Sequence, residues 1–126
     1  MPAKDPLVYV MHIRDSCRRI AEYRATGGAE WPSNPLVMDA VCRHITIIGE
    51  AARTLDDSFH RAHPEIPWSG LIGARNIVMH AYEFVKPQLI REMAEKDVPE
   101  LLAHCLRLLR EDPDSPPATL PPTPAA

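Results

Sequence analysis

At 126 residues the chain is one domain by length, and a formal charge of −3 excludes a basic coat that would draw nucleic acid to the whole surface. Three scattered cysteines, Cys17, Cys42 and Cys105, have no metal-ligand spacing. They exclude a disulfide framework and imply reduced, mostly buried thiols in a cytosolic protein. Met1 to Tyr9 carries no apolar core of signal-peptide length and no apolar run is long enough to span a bilayer, so the expectation is a soluble, cytoplasmic protein.

In chain order, Asp5-Pro6 opens a first helix with a capping carboxylate followed by proline at the first helical position. Val10, Ile13, Cys17, Ile20 and Ala21 recur along it at helical spacing, and Gly27-Gly28 stops it. Asn34-Pro35 repeats the start signal for a second helix carrying Leu36, Val37, Val41, Ile45, Ile48 and Ala52 to about Asp57. His60 to Pro67 reads as a connection. Pro67-Trp68 begins a third helix, Pro87 permits a short segment to about Glu95, and Asp97-Val98-Pro99 reads as the cap of a last helix with Leu101, Leu102, Cys105, Leu108 and Leu109 inward. No stretch alternates with period two. The predicted fold is all-α, an up-and-down bundle of four to five helices over residues 1–112. Residues 113–126 hold six of the 14 prolines and read as a disordered or extended tail that adds little burial.

The chemistry concentrates in Arg75-Asn76-Ile77-Val78-Met79-His80-Ala81-Tyr82, which places a permanent cation, an amide, an imidazole and a phenol within about two helical turns. Imidazole titrates near pH ~6.5 and can take a proton from a 2′-hydroxyl or give one to a leaving 5′-oxygen. A guanidinium can hold the non-bridging phosphate oxygens where charge builds. Neither step requires a metal or other cofactor. Asn76 and His80 share a helix face at i and i+4. Arg75 and His80 lie about 140° apart around an ideal helix, so one straight helix cannot aim both at one atom. The helix must end or kink inside the motif, or two copies must meet in a dimer.

Other residues are ambiguous at this level. Eleven of the 14 basic residues are arginine, which fits a local anion site or simply a genome rich in arginine codons. Glu50 lies among Ile48, Gly49, Ala51 and Ala52 and needs a partner if desolvated, with Arg75 the first choice and Arg53 the second; a solvated outer-face position is the alternative. Arg14, Arg18 and Arg19 read as a solvated face rather than an extension of an RNA path. His60 and His63 read as loop histidines without a third metal ligand, and His12, His44 and His104 as isolated. Gly70 and Gly73 lack the Lys-Ser/Thr of a phosphate loop and are expected to permit close helix approach.

The Arg75–His80–Tyr82 pattern resembles the Arg-(four residues)-His-x-Tyr motif of the HepT-like family in the HEPN superfamily. The likeness extends, in order, through Ile47-Ile48-Gly49-Glu50-Ala51-Ala52, Ile66-Pro67-Trp68 and Val98-Pro99-Glu100-Leu101, and spans about Asp5 to Arg110. It implies a HEPN-type helical domain acting as a homodimeric ribonuclease toxin of a type VII-like toxin–antitoxin pair. Arg75 and His80 match the catalytic pair, and Asn76 the supporting polar residue. Tyr82 matches the phenol that receives AMP from a nucleotidyltransferase antitoxin. The rival implication is a non-catalytic helical dimer that binds such a partner and its nucleotide.

Overall fold

The computed structural model describes residues 5–80 and 82–111, with Tyr82 described in its backbone alone. The proline-rich tail lies outside them. The described residues form helices and no strand, as expected.

Helix α1, Pro6–Gly27, starts where the Asp5 carboxylate accepts the Leu7 N–H at 3.0 Å, and stops at Gly28, whose φ of 72° favours a residue without a Cβ. Helix α2, Pro35–Thr54, starts on the Asn34 side chain, which accepts the N–H groups of Leu36 and Val37. Both start signals operate as read. The end of α2 does not. The chain leaves the helix at Leu55, which turns extended and is buried. Asp56 then accepts the Phe59 N–H at 2.8 Å and caps a short helix, α3, Asp57–Ala62. His60 therefore lies on a helix, not in the expected connection. Burial of Leu55 and a competing cap outweigh continued helical periodicity.

Helix α4 runs Trp68–His80, followed by a 3₁₀ turn at Tyr82–Phe84. Helix α5, Pro87–Glu92, does not stop before the last helix. It passes through a π-helical turn, Met93–Asp97, directly into α6, Val98–Leu109. Asp97 is helical in φ and ψ and its side chain caps nothing, which corrects the expected cap. The cause is Pro99, which has no N–H to donate and whose ring clashes with the carbonyl four residues back. The wider turn, in which the Val98 N–H bonds to the Met93 carbonyl, absorbs that clash without breaking the rod.

The helices pack antiparallel around one core. Val10, Ile13, Cys17 and Ile20 of α1 meet Val41, Ile45, Ile48 and Ala52 of α2 and Leu101 and Cys105 of α6. Trp31, Ile90 and Ala94 close one end, and Leu55, Ile66 and Trp68 the other. Two residues placed on apolar stripes are outside: Ala21 is exposed and Leu36 is 80 % exposed, because each lies on the outer edge of its helix's stripe. All three cysteines are free. Burial pushes the Cys105 thiol up to about 12 and Cys17 well above its ordinary value, so both behave as small apolar side chains. Among the described residues no helix is long and apolar enough to cross a membrane.

Arg14 overturns the reading of α1 as a solvated basic face. Its side chain is fully buried and donates to Asp15 at 2.9 Å and to both carboxylate oxygens of Glu111 at 2.6 and 2.7 Å. Glu111 reaches it because α6 ends in a Schellman motif. Arg110 takes the left-handed region at φ 58° and the Glu111 N–H bonds back to the Leu106 carbonyl. Arg14 thus ties the middle of α1 to the end of α6 and is unavailable to RNA. Glu111→Ala should leave a buried guanidinium with Asp15 alone and destabilise the fold by about 3 kcal/mol, the low end for breaking a buried pair; urea denaturation measures it.

Candidate active site

The site begins with a glycine on the neighbouring helix. Gly49 of α2 faces α4 so closely that a Cβ there would stand 2.1 Å from Arg75 Cβ and 2.9 Å from the Leu71 carbonyl oxygen. Without a side chain at 49, the stem of Arg75 lies directly on the α2 backbone. The Arg75 side chain is 12 % exposed, and its Nη2 pairs with Oε1 of Glu50, the residue after the glycine. Arg75 is therefore the partner of Glu50, as first choice had it, and Arg53 is not. The pairing fixes a long cation whose rotamer freedom would otherwise be costly.

The Arg75 tip does not stay on the α2 side. Its Nη1 donates to the Asn76 side-chain oxygen at 2.8 Å. Asn76 is exposed and lies one turn before His80, about 40° from it around the helix axis. The angular divergence of Arg75 and His80 along α4 is thus partly bridged by the length of the arginine. Glu50, Arg75 and Asn76 form a connected polar row that leads to an exposed His80 in the last helical residue. The α-helix ends at His80 rather than continuing through the motif. The Tyr82 side chain is outside the described residues.

The row opens to the surface at Asn76 and His80, while the Arg75 side chain that links them to Glu50 is largely covered. An apolar cavity of about 430 Å³ beneath α4 is lined by Ile45, Ile48, Leu71, Ala74, Val98 and Leu101, but not by Arg75, Asn76 or His80. An open row suits an extended polymer better than a small molecule that must be enclosed.

The remaining candidates have structural employment. His60 bonds to the Ala52 carbonyl at 2.8 Å and stacks on Trp68. His63 sits against Glu65 and the Phe59 ring. His44 is not isolated: its Nδ1 lies 3.0 Å from the buried Ser16 hydroxyl, its ring meets Tyr23, and burial lowers its pKa. His12 meets the Tyr9 ring, and His104 lies 2.6 Å from Arg107. Among the described residues no group of three His, Cys, Asp or Glu could hold a metal. Gly70 and Gly73, expected to allow close helix approach, meet no other helix among the described residues. That role belongs to Gly49, which sequence reasoning missed. The available signal was a glycine inside an otherwise strong helix, where it costs about 1 kcal/mol relative to alanine.

The sequence profile of the family described as "Ribonuclease HepT-like" matches residues 13–108. A provisionally named RNase of Methanocaldococcus jannaschii is 29 % identical over 102 residues, covering 80 % of this chain and 94 % of the relative. Another provisionally named RNase, from Caldanaerobacter subterraneus, is 29 % identical over 110 residues, 86 % of this chain and 98 % of the relative. A provisionally named ribonuclease HepT of Thermococcus cleftensis is 39 % identical over 62 residues, 49 % of this chain and 56 % of the relative. No solved structure matches the chain significantly.

Gly49→Ala should force α2 and α4 apart at Arg75, whose Cβ cannot move independently of the backbone. The expected cost is about 1–3 kcal/mol, typical of overpacking, read by thermal or urea unfolding. Gly73→Ala meets nothing within 4 Å and should not lower the stability of the folded chain.

Proposed function

The chain belongs to the HepT-like ribonuclease family, and from that premise we propose that it is a metal-independent endoribonuclease, a toxin that works as a homodimer. The observation that carries the reading is the polar row from Glu50 through Arg75 and Asn76 toward exposed His80. Glu50 holds Arg75, Arg75 grips the non-bridging oxygens of the scissile phosphate, and Asn76 orients the guanidinium and bonds the phosphate. One His80 takes the 2′-hydroxyl proton as O2′ attacks phosphorus. A second, protonated His80 from the partner copy gives a proton to the departing 5′-oxygen. The products are a 2′,3′-cyclic phosphate and a free 5′-hydroxyl.

The need for a second copy is supported by α4 itself. Within the chain α4 buries only Trp68, and its large apolar residues Ile77 and Met79 are 41 % and 43 % exposed. A helix of that kind calls for cover on its second side. Gly70, Gly73 and Ile77 fall on one stripe of its outer side, where small residues would let another helix approach. Two α4 helices meeting there bring the two His80 residues to one cleft by symmetry.

The purified protein should cut single-stranded RNA in EDTA, and His80→Ala should abolish cutting while leaving the melting temperature within a degree or two, since the ring is exposed. Gly73→Arg, harmless in a monomer, should halve the mass seen by light scattering and abolish cutting with it. Retained activity in His80→Ala, or a strict requirement for magnesium, would falsify this mechanism.

A nucleotidyltransferase antitoxin is proposed to silence the site by transferring AMP to Tyr82. Attack of the phenol oxygen on the α-phosphorus of ATP forms a phosphodiester and expels pyrophosphate. The phenol is a weak nucleophile at its ordinary pKa near ~10, so the partner must supply a base or metal activation. The added phosphate, two residues beyond His80, would compete with RNA for Arg75. Co-expression with the transferase should add one AMP per modified tyrosine to the intact mass and lower RNA cutting. Tyr82→Phe should remove both effects; AMP increments that survive the substitution place the modification elsewhere.

A further inference from the structure

Phe84 is unaccounted for by the core and by the polar row. It is 82 % exposed, the most exposed large apolar side chain among the described residues. Isolated exposed apolar residues are common, but they are seldom this large and this bare. The contrast with Phe59, which packs on His63 and Trp68, shows that the chain has rings it buries and this one it does not. Among the described residues Phe84 contacts no other ring.

Its position is specific. Phe84 ends the 3₁₀ turn Tyr82–Phe84 that follows α4, four residues after His80. Four residues reach at most about 14 Å, so the ring stays within a few nucleotides of a phosphate held at His80. Lys86, two residues on, is exposed and adds a cation on the same segment. An exposed aromatic with a neighbouring cation is the usual means of holding a single strand, because every base has a π-face and every nucleotide a phosphate.

We propose that Phe84 is a base-stacking residue that holds a nucleobase flanking the scissile phosphate, with Lys86 on the adjoining phosphate. The substrate class is therefore single-stranded or looped RNA, since bases locked in a duplex cannot reach the ring. Stacking is indifferent to base identity, so Phe84 contributes affinity and register rather than sequence choice. The second use for a bare ring, a contact between two copies of the chain, is less favoured because α4 and its outward stripe end before Phe84.

The inference rests on the RNA-cleaving reading of Arg75 and His80, and two independent readouts keep the failures apart. Trp31 and Trp68 are both buried, so a tryptophan at 84 is the one that responds to a ligand at the surface. In a His80→Ala, Phe84→Trp double variant, a short single-stranded RNA should quench the emission, and the same oligonucleotide made abasic should not. In the otherwise unchanged chain, Phe84→Ala should raise KM for single-stranded RNA by about 5- to 100-fold, the range expected for loss of one base–aromatic stack, with kcat little changed. Phe84→Tyr should restore it, and the mass by light scattering should stay that of the parent. Quenching without any cutting by the parent leaves the stacking assignment standing and removes the catalytic one. Cutting with no quenching and an unchanged KM overturns the stacking assignment alone. A smaller assembly in Phe84→Ala also overturns it, by assigning the ring to a contact between copies.

Discussion

The close approach of α2 and α4 at Gly49 is the constraint on which the rest of the site depends. A missing Cβ lets the Arg75 stem rest on backbone, and the next residue, Glu50, then meets its guanidinium. That pairing converts a long, mobile cation into one with a fixed direction, and the direction is round the helix to Asn76. Were α4 to sit an ångström or two farther out, Arg75 would still be present but would answer to solvent. Positioning of that kind, not the mere possession of an arginine, separates a phosphate-binding group from a surface charge.

The scaffold holds this contact with devices set away from it. Arg14, buried between Asp15 and Glu111, ties α1 to the end of α6. The left-handed Arg110 that aims Glu111 is tolerated because the two backbone hydrogen bonds of the Schellman motif and the ion pair offset its strain. At the other end Arg24 donates to the Ala94 carbonyl, and the Trp31 indole donates to Glu95, which also receives Arg91 and is held below the usual carboxylate range chiefly by that indole. The π turn keeps α5 and α6 one continuous rod despite Pro99, so that the rod from Pro87 to Leu109, and not α6 alone, matches α1 in length. With α1, α2 and α6 locked, α4 is the helix with a free side. It packs chiefly on α2, with Trp68 at its start against Phe59 and His60 of α3, and leaves Ile77, Met79 and His80 outward. The locked helices thereby carry the core, and the least covered helix carries the residues of the candidate site.

Under the proposed function, a polar row that opens to solvent at Asn76 and His80 would suit a polymeric substrate, since no cavity need open to admit it. What a surface site lacks is exclusion of water and a second proton-transfer group. In the proposed homodimer a symmetric partner would supply both across α4.

Local chemistry decided much that could be read without coordinates. Asp5-Pro6 and Asn34-Pro35 start helices because a side-chain acceptor and a proline satisfy the same few orphan N–H groups wherever they occur. The helix that carries Arg75 to His80 and the Glu50–Arg75 pairing were legible for related reasons: spacing along 3.6 residues per turn, and the cost of an unpaired carboxylate. Tertiary structure decided what depends on neighbours distant in sequence. Arg14 looks like a surface cation until Glu111, 97 residues away, is folded onto it. Asp97 looks like a cap until Pro99 is accommodated inside a continuous helix. Gly70 and Gly73 look like the packing glycines, yet only Gly49 faces another backbone, because helix rotation is set by the whole core and not by composition. The turn of Arg75 toward Asn76 belongs to the same class. The order of residues along a helix states which groups are available, and the packing of that helix against its neighbour determines where they point.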